Sequence, residues 1–448
     1  MGLVRQAGHE LTADADDAEI LVVNTCAFID EAKQESIDAI LEMAGKKTAA
    51  GGVAKRLVVT GCLGERYRDE LKKEIPEIDA VLGTGDVPGI VAAISGVRAS
   101  GAAPLTFYRP KKRSSAELME RAERLEPTYL YDASTPRYTS TPKHYAYIKI
   151  AEGCDYTCAF CIIPTLRGSY RSRTEDSVVQ EAQALAARGV KELLLISQDT
   201  TFYGNDLGER GALGRLLRRL NAVEGLEWIR LLYLYPTTIT DDTLDAMAEC
   251  DKVCKYVDLP LQHASADVLR RMRRPGNRQA YDKLLTRIRA RVPGVTLRTT
   301  FIVGFPGETD AEFAELEQFV RETNFDHVGV FTYSHEEGTR AFAVEDDVPA
   351  AVKRQRRDAL MRLQKRIVAA RQRARAGSVV RVMVDGPSAD SPLVWQGRLE
   401  GQAPDIDAVV YLDQCDPDSL VPGTMVDARI LDGRKGARGY DLVAAPIG

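Results

Sequence analysis

The run Glu152-Gly153-Cys154-Asp155-Tyr156-Thr157-Cys158-Ala159-Phe160-Cys161 places three residues between its first two thiols and two between the last pair. Thiolates so spaced can converge on one cluster. A cubane of four irons normally takes four cysteines, so three from the protein leave one iron with an open position for a chelating substrate. The plainer alternative is structural zinc, which favours a closed set of four nitrogen or sulfur ligands. No further Cys or His occurs within the next forty residues, and that weighs toward iron and sulfur.

These residues sit in a chain of 448 residues, enough for about three domains. Apolar residues make up 44% of it, which suffices for sizeable cores and excludes a disordered chain or a mini-protein scaffold. A formal charge of -5 excludes a nucleic-acid coat, so any basic surface must be local. The first residues hold no apolar core of signal-peptide length, and no run approaches the ~18 apolar residues of a membrane span. We read a soluble cytoplasmic protein. Eight cysteines are too few for a disulfide scaffold at this length, and a cytosolic address keeps thiols reduced, so clustered cysteines ask for a metal.

The elements that must carry the thiols divide the chain into four stretches. Residues 1–109 read as a small α/β domain, with short apolar strands at Glu19 to Asn24 and Arg56 to Thr60 and helical spacing from Ala32 to Met43. Cys26 and Cys62 follow these strands directly, at the carboxyl ends where open α/β sheets put their ligands. Residues 110–139 read as a linker with one helical piece, Ala116 to Leu125. Residues 140–376 alternate strand and helix, which implies parallel pairing, with strands at His144 to Ile150, Glu192 to Gln198, Trp228 to Tyr235, Tyr256 to Leu261, Thr296 to Phe305 and His327 to Tyr333. Six such units give a partial (β/α)6 TIM-like barrel, short of the eight of a full one. It ends in a very basic connector helix, Val352 to Arg375, with ten Lys or Arg and one acid, Asp358. Residues 377–448 read as short alternating strands, a small antiparallel β-barrel.

A three-cysteine loop after the first strand of a six-unit barrel resembles the radical S-adenosylmethionine superfamily. The flanking domains resemble its methylthiotransferases, which join an amino-terminal flavodoxin- or Rossmann-like α/β domain, the radical barrel and a terminal TRAM barrel. The runs Ile196 to Thr200, Leu259 to Ala264, Phe301 to Thr309 and Gln402 to Asp407 look most like the RimO-type branch. That resemblance implies methylthiolation of the β-carbon of an aspartate in a basic small-subunit ribosomal protein, number twelve, with two 4Fe-4S clusters. The first cluster, on Cys154, Cys158 and Cys161, would bind S-adenosylmethionine at its open iron for cleavage to methionine and a 5'-deoxyadenosyl radical. The second would rest on Cys26 and Cys62 and supply the sulfur, while a second S-adenosylmethionine gives the methyl group. A third ligand for it is expected on a strand preceding the helix at Leu3 to Glu10. That strand is missing from this chain, and a start placed too far downstream is the expected reason. A reductant such as flavodoxin or ferredoxin is implied.

Weaker assignments follow from position, and none names a catalytic acid, base or nucleophile. Gln198, with Asp199 and Thr200, ends the second strand on the face where barrels do chemistry and could meet S-adenosylmethionine; a helix N-cap by Asp199 or Thr200 is the equal alternative. Arg298 could pair with the cofactor carboxylate, and the turn from Gly304 to Gly307 could admit its adenine. His263 reads as a supporting group, and Cys250, Cys254 and Cys415 as buried small apolar residues, the first two on one helix face. The rival substrate is an adenosine of transfer RNA, and the rival class a non-catalytic iron-sulfur or zinc binding module. Residues 377–448 carry six basic and eleven acidic residues. An acidic terminal barrel should repel RNA and grip a basic protein, so RNA binding is the lesser expectation.

Overall fold

The computed structural model describes residues 1–49, 51–96, 129–388, 391–414, 419–436 and 439–447. The linker helix expected at Ala116 to Leu125 and Cys415 lie outside them. The chain forms two compact units. One comprises residues 1–138, 152–171 and 334–342, the other 139–151, 172–333 and 343–448.

In the first unit, α1 (Gly2–Gln6), β1 (Ile20–Thr25), α2 (Asp30–Thr48), β2 (Arg56–Gly61), α3 (Cys62–Arg66) and β3 (Ala80–Leu82) build a parallel sheet in the order β1-β2-β3. Both expected strands are present. Helix α1 stops four residues before the expected Glu10, because Gly8 takes a left-handed backbone at φ +90° that a helix cannot continue. Leu21, Ile40, Leu57 and Val59 form the core.

The second unit contains the six expected parallel strands, β4 (Tyr145–Lys149), β5 (Glu192–Ile196), β6 (Trp228–Leu231), β7 (Tyr256–Asp258), β8 (Thr296–Val303) and β9 (His327–Thr332). They run β4-β5-β6 and β7-β8-β9, joined by an isolated bridge between Ile229 and Val253. Along β8 every second side chain, Leu297, Thr299, Phe301 and Val303, is buried, so Thr296, Arg298, Thr300 and Ile302 share the opposite face. Helices α5 (Glu175–Ala186) and α6 (Asp310–Thr323) begin on side-chain caps from Thr174 and Thr309, the latter completed by Glu312 into a capping box. Helix α7 (Ala350–Arg373) leads to a closed barrel of β10 (Val379–Ser388), β11 (Ser391–Arg398), β12 (Val410–Leu412), β13 (Met425–Gly436) and β14 (Gly439–Pro446). The antiparallel barrel expected there contains one parallel pair, β12 with β14. Five strands cannot alternate direction all the way round a ring. No helix among the described residues is long and apolar enough to cross a membrane.

The terminal barrel packs on the amino-terminal ends of the six strands. Glu192, first residue of β5, takes Arg230 Nε at 2.7 Å and Arg398 at 2.6 Å, and all three side chains are buried. Arg398 also holds Asp385, which accepts from His144 at 2.9 Å. Tyr145 donates to Asp405 and Tyr256 to Asp407, both at 2.7 Å, while His327 meets the Gly401 carbonyl. Glu400 accepts from the Lys255 amide, and Asp441 from Val409 of its own barrel. Four of the eleven acids counted from the sequence, Asp385, Glu400, Asp405 and Asp407, are therefore committed to docking the terminal barrel, and Asp441 serves its interior.

Removing Glu192 would leave two buried guanidinium groups facing each other. Glu192→Ala should cost about 3–5 kcal/mol of stability, against about 1 kcal/mol for Tyr145→Phe. Urea unfolding of both variants checks this; equal losses would show that the charge network contributes nothing beyond an ordinary hydrogen bond.

Candidate cluster-binding site

Gly153 opens the three-cysteine loop with φ +91°, and a Cβ there would stand 2.1 Å from the Ser169 carbonyl oxygen. Only glycine lets the two ends of the loop approach so closely. The Cys154 amide donates to the Gly168 carbonyl at 3.0 Å, the Cys161 amide to Cys158 at 3.2 Å and the Tyr170 amide to Asp155 at 2.9 Å. From residues 334–342, the Ala341 amide reaches the Ala159 carbonyl at 2.8 Å. Beyond the last cysteine, Ile162 and Leu166 of α4 (Ile163–Arg167) and its cap are buried in the same core as Leu21, Val59 and Cys62. The loop is thus anchored within the first unit, and Cys154, Cys158 and Cys161 remain half-buried.

Cys26 and Cys62 follow Thr25 and Gly61, which are register partners on neighbouring strands, as the sequence implied. Gly61 has φ +101°, and a side chain there would strike the Thr25 carbonyl, so both the backbone angle and the close approach require glycine. Ser36 on α2 holds the Cys26 backbone at both amide and carbonyl, and Arg66 on α3 reaches the Ala27 carbonyl at 3.0 Å. Glu336 ties Lys33 at 2.9 Å and Arg66 at 3.4 Å. Cys26 is exposed and Cys62 buried. Burial pushes the Cys62 thiol up, and the Arg167 guanidinium opposes that.

Arg167 joins the two cysteine sets. It donates to Glu152, immediately before the loop, at 3.1 Å and to Cys62 Sγ at 3.5 Å. Neither Arg167 nor Glu152 stood out in the sequence, although Arg167 follows the last cysteine by six residues. The donors fit the group the loop implies. They are sulfur alone, the set iron-sulfur clusters take, and each iron of a cubane takes its own thiolate. Among the described residues no three His, Cys, Asp or Glu are gathered to hold a single ion.

The remaining expected residues lie in the second unit. Gln198 is half-buried at the carboxyl end of β5. Asp199 caps the short helix Thr200–Phe202, accepting from the Thr201 and Phe202 amides, which is the alternative weighed for it. Arg298 meets Asp258 at 2.7 Å and Asp407 at 3.6 Å. The Gly304 amide is taken by Glu308 at 2.7 Å, and its left-handed backbone admits Lys353, whose Cγ a side chain would strike at 2.3 Å. Burial raises Glu308 to about 7 against the pull of Arg356. His263 accepts from the Ser265 amide and lies 3.7 Å from Glu308; burial, helped by Arg271 and Arg356, lowers it to about 3, so it is neutral. Cys250 and Cys254 are buried, and burial lifts Cys254 to about 12. They do not share a helix face, since the helix Asp241–Glu249 ends before Cys250.

Comparison with known proteins agrees with this architecture. The chain matches the Radical SAM superfamily over residues 148–320, the uncharacterized protein family UPF0004 over residues 1–83 and a TRAM domain over residues 376–447. It is 47% identical over 470 residues to the ribosomal protein uS12 methylthiotransferase RimO of Koribacter versatilis, spanning 99% of this chain and 92% of that one. It is 44% identical to the same-named protein of Trichlorobacter lovleyi, spanning 100% and 94%. In fold it resembles the radical S-adenosylmethionine methyltransferase TsrM from Kitasatospora setae, at TM-score 0.51 and 17% identity over 70% of this chain and 62% of that one. With whole-length identity of this order and all three domains in sequence, the chain belongs to the RimO family of radical S-adenosylmethionine methylthiotransferases.

Proposed function

We propose that this chain methylthiolates the β-carbon of an aspartate in ribosomal protein uS12. Cys154, Cys158 and Cys161 would hold a 4Fe-4S cluster that binds S-adenosylmethionine, and Cys26 and Cys62 would serve a second. When bound, this pairing supplies hydrogen abstraction, a sulfur atom and a methyl group. The observation that carries the reading is Arg167, which ties the position before the three-cysteine loop to Cys62 within one folded unit.

The residues of the first unit divide the work. The amides at Cys154 and Cys161 and the anchor at Ile162 and Leu166 orient the loop thiols. Ser36 and Arg66 fix the backbone at Cys26. Arg167 places positive charge beside Cys62, which favours its thiolate as a ligand. Gln198 would contact S-adenosylmethionine. Arg298 and Gly304 are less suited to that role, since Asp258 and Glu308 already engage them. Electrons would come from a flavodoxin- or ferredoxin-like donor in the cytoplasm. The named relatives act on a ribosomal protein, which does not favour the transfer-RNA alternative.

Reconstituted protein given dithionite and S-adenosylmethionine should release 5'-deoxyadenosine, and Cys154→Ser, Cys158→Ser or Cys161→Ser should abolish that release. Cys62→Ser should retain it while losing sulfur transfer, with iron falling from about eight to about four per chain. Colourless protein holding zinc at the loop would overturn the reading. Arg167→Met removes the hydrogen bonds to both Glu152 and Cys62, charge-assisted bonds of about 1.5–3 kcal/mol each. It should lower methylthiolation by on the order of 10-fold or more, with 5'-deoxyadenosine release retained; loss of both together would assign Arg167 to the fold instead. In cells lacking the gene, uS12 should lose a mass increment of about 46 Da on one aspartate; an unchanged uS12 with an altered transfer RNA would favour the rival substrate.

A further inference from the structure

Helix α7 carries two kinds of cation. Lys353 pairs with Asp346, Arg356 with Glu308 and Asp310, Arg357 with Asp358, and Arg371 with Asp326. Arg354, Arg362, Lys365, Arg366 and Arg373 are exposed, and among the described residues no carboxylate lies within ion-pair distance of them. Arg373 instead lies over the Tyr440 ring, 5.9 Å from its centroid. At 3.6 residues per turn, spacings of 8, 3, 1 and 7 residues bring these five within about a third of the helix circumference and along about 28 Å of its length. The buried Lys353, Arg356, Leu360, Leu363 and Gln364 lie on the opposite side, and the buried Gln372 lies within the sector of the stripe near its carboxyl end.

A merely solvated helix face intersperses acids at i+3 and i+4, and this stripe has a single one, Asp358, four residues from both Arg354 and Arg362. Its one acid, Asp358, is engaged by Arg357. Like charges at Arg362 and Arg366, one turn apart, repel, so the stripe works against the isolated helix and is relieved by a polyanion. Counting charges over residues 377–448 pointed away from RNA, but Asp385, Glu400, Asp405 and Asp407 of that stretch are turned to docking the terminal barrel.

We propose that the exposed stripe of α7 is a docking surface for the phosphate backbone of ribosomal RNA beside the protein substrate, so that the enzyme engages uS12 in a ribonucleoprotein rather than as a free chain. This rests on the reading of uS12 as substrate. Length and charge suit the partner, because five cations in a row meet successive phosphates and each contact releases a counterion.

The test uses the full chain, a fluorescent RNA hairpin and small ribosomal subunits. Hairpin affinity should fall with salt at a log–log slope of about -4. Combined Arg354→Gln, Arg362→Gln, Lys365→Gln, Arg366→Gln and Arg373→Gln should flatten that slope and weaken low-salt binding by about two orders of magnitude or more, with the circular dichroism unchanged. The same variant should raise KM for small subunits, leaving modification of isolated uS12 at its original rate. Undiminished RNA affinity overturns the proposal, as does binding to phosphatidylserine vesicles that the hairpin cannot displace. If the unaltered protein binds the hairpin through the stripe yet modifies neither free nor assembled uS12, the surface stands and the substrate reading fails.

Discussion

Glu192 accepts two guanidinium groups at once while fully buried, and the arrangement of the second unit follows from that constraint. Charges buried on a strand end must be matched from outside the strand, and Arg398 with Asp385 provides the match from the terminal barrel. The neighbouring strands repeat the device with neutral donors, Tyr145 and Tyr256, aimed at Asp405 and Asp407. A barrel strand has two ends, and only the carboxyl end is used for chemistry. The second domain here closes the amino-terminal ends, away from the ends where chemistry is done.

Backbone features accomplish in the first unit what buried charge accomplishes in the second. Gly61 and Gly153 each occupy a left-handed conformation directly before a proposed ligand cysteine, and each would clash with a carbonyl if it bore a side chain. A turn that tight delivers the next thiol at a fixed angle from the end of its preceding segment. The lateral ties then come from side chains far off in sequence: Ser36 for Cys26, Arg167 for Cys62 and Glu336 for α2 and α3 together. Cysteine spacing therefore selects the cofactor class, while residues that bear no ligand atom decide where the ligands stand.

That division explains what could be read from the sequence. Period and cysteine spacing are local properties, so the six parallel strands, the basic helix and the loop thiols were legible to within a few residues. Arg167 was not, because its significance lies in Cys62, more than a hundred positions away, and no local pattern encodes that pairing. Gly304 was open to two readings for a related reason. A glycine turn after a strand looks alike whether it admits a ligand or a neighbouring helix, and here the occupant is Lys353 from α7. Two of the terminal strands, Ser391–Arg398 and Gly439–Pro446, lacked a clean alternation, since Gly397 and Pro392 interrupt one and Ala444 and Ala445 weaken the other.

Net charge was the least transferable of the sequence quantities, and the reason is geometric. A sum over 72 residues treats Asp407 and Asp427 as equal, yet Asp407 is buried against Tyr256 and Asp427 is exposed. An acid buried beside a cation, as Asp407 is 3.6 Å from Arg298, contributes little to the field a distant molecule experiences, because the pair presents little net charge. The same reasoning runs in reverse on α7, where four of the nine cations are matched and the unmatched ones are collected on a single side. What an approaching polyanion meets is the residue of charge left after internal pairing, distributed by helical phase. On this molecule that remainder is positive on one helix, although the formal sum for the chain is negative.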